Sequence, residues 1–390
     1  MNRPGAPDAA LDRSSGTVRG PVRRGRGVAR VVLFLAGLGL LAAILLRVGW
    51  APVAANLARV GPWFPALVLL YALAQLAFAA GWWALTGPRP RPVSFRRLFA
   101  AYLGGDSINY FTSVGGEPVK ADLLREELGF SHGLATVAVH RHADVFAQWI
   151  FLTLGIGATL ARFDLPTVAR IAALASLLVL GAMVLAMTVG LRRGAFAPIL
   201  SGLARVRVLR SLARFEPAAR RLDERIGAFY RERTDHFGQA VAWCFAGWCG
   251  GLLETYFVLR LLAPSRGWWT AIAIESLAMV LNNILLFIPG RVGSAEGVRI
   301  GVYTLVGLPP APGAAYALVR RGRELLWLVP GFIVLLKRHV LDARGEGTPR
   351  RQSGRGNRGP AAEKDARGGG TAEERSQPER EPARAAESRA

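Results

Sequence analysis

Apolar residues in this chain do not alternate with polar ones. They fall in uninterrupted runs about as long as the roughly 20 residues a helix needs to cross a bilayer. The first run, VVLFLAGLGLLAAILL, begins at Val31. Further runs predict spans over about 61–85, 133–160, 168–191, 238–262 and 313–340. Two segments are only half apolar and are broken in the middle: 94–130 by Gly115, Gly116 and Pro118, and 268–310 by Pro289, Gly290 and Gly293. Each reads as a hairpin of two half-length helices entering and leaving on one side, because irregular backbone at membrane depth survives only where protein or a polar cavity satisfies it. The pattern predicts an all-α polytopic membrane protein. It has about six full transmembrane helices plus two re-entrant broken-helix hairpins, eight hydrophobic elements in all.

Composition sharpens this. The 390 residues are 52% hydrophobic and 19% charged, with a mean hydropathy of +0.28; two polar ends dilute those averages. A soluble enzyme, a disulfide-rich secreted domain and a disordered chain are excluded. Lysine and arginine exceed acids 49 to 27, a net charge of +22, and the only lysines are Lys120, Lys337 and Lys364. In a membrane protein such an excess reports topology rather than nucleic-acid binding, since basic residues concentrate in cytoplasmic loops. The N-terminus, the loop at 86–97, the stretch 192–236 with its eleven arginines, and the tail are basic. If both hairpins re-enter, all of these share the cytoplasmic side and both termini are cytoplasmic. The outer loops then hold only Arg47, Arg59, Arg162 and Arg266. A basic start followed by an apolar run also describes a signal peptide; Arg47 and the many later spans favour a retained first helix. The segment 192–236 reads as amphipathic, lying on an anionic inner-leaflet surface. The expected organisation is a disordered basic N-terminus at 1–27, a membrane domain at 28–342 and a disordered tail at 343–390.

The two halves match in spacing. Arg141 and Asp144 follow Glu117 by 24 and 27 residues; Arg320, Arg321 and Glu324 follow Glu296 by 24, 25 and 28. Asn109 precedes the first break, and Asn282 and Asn283 the second. This reads as an inverted internal repeat, 28–165 and 166–342, of the kind that places broken helices around a transporter's midplane site.

The candidate chemistry lies at these positions. An arginine at mid-bilayer costs about 2.5–3.5 kcal/mol on insertion scales, so Arg141 must face protein or a polar cavity. Its bland role is to pair with Asp144 one turn on. His140, His142 and Asp144 could hold a metal only if they shared a face, and they do not, so no metal or cofactor is expected. Arg320, Arg321 and Arg323 stand against Glu324 alone, an excess that calls for an anion such as a phosphate. Each break starts a new half-helix whose N–H groups can bind an anion, with Lys120 and Arg291 beside them; alternatively Glu117 and Glu296 cap those donors themselves. Asp106, Glu254 and Glu275 are further acids at membrane depth, partners for the arginines or members of an ion relay. Gly293, Gly297 and Gly301 are spaced for close helix packing. Cys244 and Cys249, five apart on one helix, point apart and predict no disulfide.

GGEPVKADLL, the HRHADVF helix, NNILLFIPGRVGSAEG and VRRGRELLWLVPG together resemble the flippase-like family, also called the lysylphosphatidylglycerol synthase transmembrane region family, which includes hopanoid-associated members. The resemblance spans about 25–342. It implies a multi-pass bacterial inner-membrane protein that moves or helps export an anionic or polyisoprenoid-linked lipid; whether the chain forms a homo-oligomer is left open by the sequence. Gly115, Gly116, Glu117, Lys120, Arg141, Asp144, Pro289, Gly290, Glu296 and Arg321 fall on the family's signature positions. Synthase members add a soluble aminoacyl-transferase domain; the short polar tail here makes lysyl transfer unexpected, and Arg291 stands where the family commonly has glycine. No ATP-binding motif appears. The expected function is therefore lipid translocation rather than catalysis. The expected substrate site is Lys120, Arg141, Arg291, Arg320 and Arg321 with Gly115, Gly116 and Gly290, supported by Glu117, Asp144, Glu296 and Glu324. Two other functions stay open: a membrane-embedded headgroup transferase using His140 and Asp144, and a non-transporting partner of a biosynthetic complex docked through 192–236.

Overall fold

The computed structural model describes residues 46–87, 93–112, 115–285 and 293–346, with positions 39, 42 and 43 ahead of them. The first apolar run therefore lies almost wholly outside the described residues, as do Pro289, Gly290, Arg291 and the tail beyond 346. Among the described residues the chain is helical without strands. In order the helices are α1 Trp50–Val60, α2 Phe64–Thr86, α3 Phe95–Thr112, α4 Gly116–Leu123, α5 Arg125–Leu128, α6 Phe130–Arg162 and α7 Thr167–Arg193. They continue with α8 Phe196–Ala204, α9 Glu216–Glu232, α10 Thr234–Leu262, α11 Trp268–Ile284, α12 Ser294–Leu305 and α13 Pro310–Glu346. The chain is an all-α polytopic membrane protein.

Among the described residues four stretches are long and apolar enough to cross a bilayer: α1 with α2 as one run of 37 residues, α6, α7 and α10. They coincide with the second to fifth predicted spans. The sixth, α13, is equally long, but its first half carries Arg320, Arg321, Arg323 and Glu324 and so fails as an apolar stretch. Arg59, placed by the sequence in an outer loop, instead lies in the last turn of α1, which runs through a 3-10 turn into α2. The apolar pattern broke at Gly61 and Pro62, yet proline in a first turn gives up no hydrogen bond, so the helical path continues.

Burial is inverted as lipid demands. Val168, Leu178 and Val179 on α7 are 79%, 75% and 70% exposed, while polar and charged side chains turn inward. The two broken hairpins form as α3 with α4 and α11 with α12, arms of 18 and 8 residues and of 17 and 12. The first arms are longer than the half-length helices expected. α10 packs along α2, and α6 against α11 and α4.

Close packing does not extend to Gly301, one of the three glycines the sequence spaced for it. Gly301 is exposed, and a Cβ there meets nothing described within 4 Å. The tight approach is at Gly116, where a Cβ would strike the Gly105 carbonyl, and at Gly331, where it would strike Ser107 and the Leu103 carbonyl. These two contacts seat α4 and α13 directly on α3.

The stretch between α7 and α10 folds as α8, a 3-10 segment at Arg207–Phe215 and α9. Asp223 on α9 accepts from the Phe196 and Ala197 amides at 3.0 and 2.8 Å and so caps α8 from another helix. Leu222, Ile226 and Tyr230 are buried against α6. Tyr230 lies 2.6 Å from His142 Nδ1, and His142 Nε2 lies 2.9 Å from the Thr188 hydroxyl, which donates to the Val184 carbonyl. The Thr188 oxygen must then accept, so His142 carries its proton on Nε2 and Tyr230 donates to Nδ1. Burial raises the Tyr230 phenol above its ordinary pKa, an effect Arg192 partly offsets.

Candidate functional site

A cavity of about 370 Å³ opens within the helices, lined from both halves of the chain. α2 supplies Tyr71 and Gln75; α3 supplies Tyr102, Asp106, Asn109 and Tyr110; α4 supplies Glu117 and Lys120; α6 supplies His140, Arg141 and Asp144. The second half contributes Asn282, Glu296, Arg299, Arg320, Arg321, Arg323 and Glu324 from α11, α12 and α13. Arg141 is the twelfth residue of the 33 in α6, and Gln75 the twelfth of the 23 in α2. These side chains therefore project from the middle of membrane-length helices rather than from their ends.

Every charged site residue expected from the sequence that lies within the described chain lines this cavity: Lys120, Arg141, Arg320, Arg321, Glu117, Asp144, Glu296 and Glu324. Gly290 and Arg291 fall outside the described residues. Gly115 and Gly116 are adjacent but do not line it. Their amides, expected to be available to an anion, are taken: Gly115 donates to Thr112 Oγ1 at 2.9 Å and Gly116 to Asn109 Oδ1 at 2.8 Å. The Asn109 amide nitrogen then donates to Glu117 at 3.0 Å. Neither reading of the first break is what forms: Thr112 and Asn109 take these donors, and Glu117, expected to cap them itself, instead accepts from the Asn109 side chain.

The arginine excess is also matched. Arg323 pairs with Glu254, both essentially inaccessible at 1% and 2%, with the guanidinium stacked 3.8 Å over Tyr71. Glu275 receives Arg299 at 3.4 Å and Arg320 at 3.2 Å. Arg321 binds Glu296 at 2.7 Å and donates to the Tyr110 hydroxyl. Thr255 donates to Glu275 at 2.6 Å, and Tyr316 lies 3.0 Å from Thr255 and 3.3 Å from Glu254, which ties the two buried acids together. The sequence set three arginines against Glu324 alone. The fold brings Glu254, Glu275 and Glu296 from three other helices, so the net positive charge expected there is not present. Burying guanidiniums without such partners would cost several kcal/mol each.

In the first half, Arg141 binds Asp144 at 2.9 Å yet keeps half of its side chain exposed to the cavity (51%). Lys120 is buried, 3.5 Å from Glu117 and 4.7 Å over the Tyr102 ring. Arg141 is thus the most accessible of the lining cations. His140 is held in place through one ring nitrogen, which leaves Nδ1 as its acceptor. Its Nε2 lies 3.0 Å from the Phe78 carbonyl, to which it can only donate, and its ring is packed by Trp82 and Tyr102. The sequence reading passed over Arg299. Its position three residues after Glu296, one turn on along α12, was the available signal.

Such a fold and site define an integral membrane protein with a charge-lined cavity to which both halves of the chain contribute. The family model for the lysylphosphatidylglycerol synthase transmembrane region matches residues 28–331, and the chain belongs to that family. It is 25% identical over 306 residues to a UPF0104 membrane protein of Methanothermobacter thermautotrophicus, covering 74% of this chain and 89% of that one. No solved structure matches the chain.

Proposed function

We propose that this protein carries the headgroup of an anionic or polyisoprenoid-linked lipid between the leaflets of a bacterial inner membrane. The headgroup passes through the cavity while the tails remain in the bilayer. The observation that carries this reading is the cavity itself: ionic side chains from both halves, held at the middle of membrane-length helices, are expensive unless something polar uses them. Arg141 receives the headgroup first, being the most accessible cation, and Arg321 holds it from the other half. The repeated order of a membrane-length helix, a broken hairpin and a long helix with Arg and an acid one turn apart supports inverted halves that exchange access.

Leaflet exchange of labelled anionic, neutral and polyprenyl-phosphate lipids in proteoliposomes tests this. One lipid class should exchange, and an Arg141→Ala/Arg321→Ala variant that still folds should lose at least about tenfold of the rate, the scale of one charge-assisted contact. No exchange of any lipid, with or without a pH gradient, would remove the reading.

The 192–236 stretch rests on the anionic face of the membrane. Phe196, Ile199, Leu203 and Phe215 are exposed beside Arg193, Arg205, Arg210 and Arg214, the composition of an interfacial anchor. Exchange should be faster in vesicles rich in anionic lipid than in neutral ones. Arg205→Gln/Arg210→Gln/Arg214→Gln should erase that difference, and a rate blind to vesicle charge would count against the anchor.

A further inference from the structure

Among Arg299, Arg320, Arg321 and Arg323 the cations are already matched, so an anion binds there only if one of the acids yields. The acids are not held alike. Glu254, Glu275 and Glu296 are buried to within 5%, and each makes close contact with its arginine. Glu324 differs in every respect. Three guanidiniums converge on it, Arg320 and Arg321 at 3.5 Å and Arg323 at 3.9 Å, all longer than the 2.7–2.9 Å typical of a charge-assisted bond. Each of those arginines has a shorter contact with another acid. The Glu324 side chain is 27% exposed and faces the cavity. The corresponding acid of the first half, Asp144, is clasped by one arginine at 2.9 Å and only 14% exposed.

We infer that Glu324 is a built-in competitor: its carboxylate holds the point where Arg320, Arg321 and Arg323 converge, and an anionic group of the phosphate class binds there by displacing it. This rests on the reading of the cavity as a headgroup site and adds where in it the phosphate sits and what it must push aside. Three cations sharing one loosely held carboxylate suit a group with several acceptor oxygens better than a single carboxylate. The competitor keeps the arginines ordered between occupants and weakens binding enough to allow release.

Titration calorimetry on the detergent-solubilised full chain tests this with three probes: dihexanoylphosphatidylglycerol, dihexanoylphosphatidylcholine and inorganic phosphate. Glu324→Gln should bind phosphatidylglycerol about tenfold more tightly than the parent, since removing one like charge near a charged ligand is worth this order. Glu324→Asp, which keeps the charge, should show no such gain. Glu324→Ala carries the same expectation as the Gln variant should that one fail to fold. A gain for phosphatidylglycerol and phosphate together places a headgroup phosphate at Glu324. A gain for phosphate alone keeps Glu324 as competitor but makes the ligand a free anion, which counts against the lipid reading. Equal or weaker binding of both anions by the charge-removing variants overturns the inference, even if leaflet exchange is intact. Gain without any exchange by the parent would leave Glu324 standing while the translocation reading falls.

Discussion

Replacing Arg323 by methionine should lower stability by about 3–5 kcal/mol, because the Glu254 carboxylate would be left buried without its cation. Both partners are sealed from solvent at 1% and 2% exposure, so water cannot stand in. The Tyr71 ring would also lose the guanidinium stacked over it. Unfolding of the purified protein in detergent, followed by tryptophan fluorescence, measures the loss. The companion variant Arg323→Met/Glu254→Gln should recover most of it, since removing both charges leaves neither unpaired, and the double-mutant cycle isolates the pair. A single variant within 1 kcal/mol of the parent, on the scale of an exposed pair, would show that water reaches this site.

The second large effect is expected at Gly116. A side chain there has no rotamer that avoids the Gly105 carbonyl, because the obstruction is backbone on the facing helix. Gly116→Val must push α4 off α3. Overpacking costs about 1–3 kcal/mol, more where backbone must move, and here it also breaks the Gly116 amide's bond to Asn109. Lys120 and Glu117 ride on α4 and would leave the cavity, so headgroup binding should fall further than the stability loss alone explains. Gly301→Val, on an exposed face of α12 with open space beyond it, is the matched control and should change stability by less than about 0.5 kcal/mol. Equal losses in the two variants would refute the close α3–α4 contact.

The membrane class and most elements were legible because lipid imposes the strongest sequence signature there is: apolar runs of fixed length, charges confined to what must face inward. Arg141, Arg321, Glu117 and Glu296 announced themselves for the same reason, as charges where charge is costly. What the sequence withheld was partnership. That Glu254 belongs to Arg323 and Glu275 to Arg299 and Arg320 depends on how α10, α11, α12 and α13 pack, and no spacing along the chain encodes it. The expected surplus of positive charge arose from counting neighbours in sequence where neighbours in space decide. The glycine motif misled in part for a related reason: Gly301, spaced as if for a packing face, is exposed, while tight contacts include Gly105 against Gly116 and Gly331 against Ser107. Asn109 was legible as a residue before a break, yet its act of closing the turn onto Gly116 and Glu117 was not.

The direction of the buried ion pairs along the chain bears on how the protein reaches the membrane. Glu254, Glu275 and Glu296 all precede Arg320, Arg321 and Arg323, so a ribosome reading from the N-terminus delivers these three buried acids before the α13 arginines they will bind. Alone, each arginine would resist entry by about 2.5–3.5 kcal/mol, and α13 carries three. Arriving last, that helix meets its counter-ions already installed in α10, α11 and α12, and the assembled earlier helices serve as its receptor. Truncating the gene before α13 would then leave a chain that inserts but exposes unmatched acids, whereas α13 expressed alone would stay out of the bilayer.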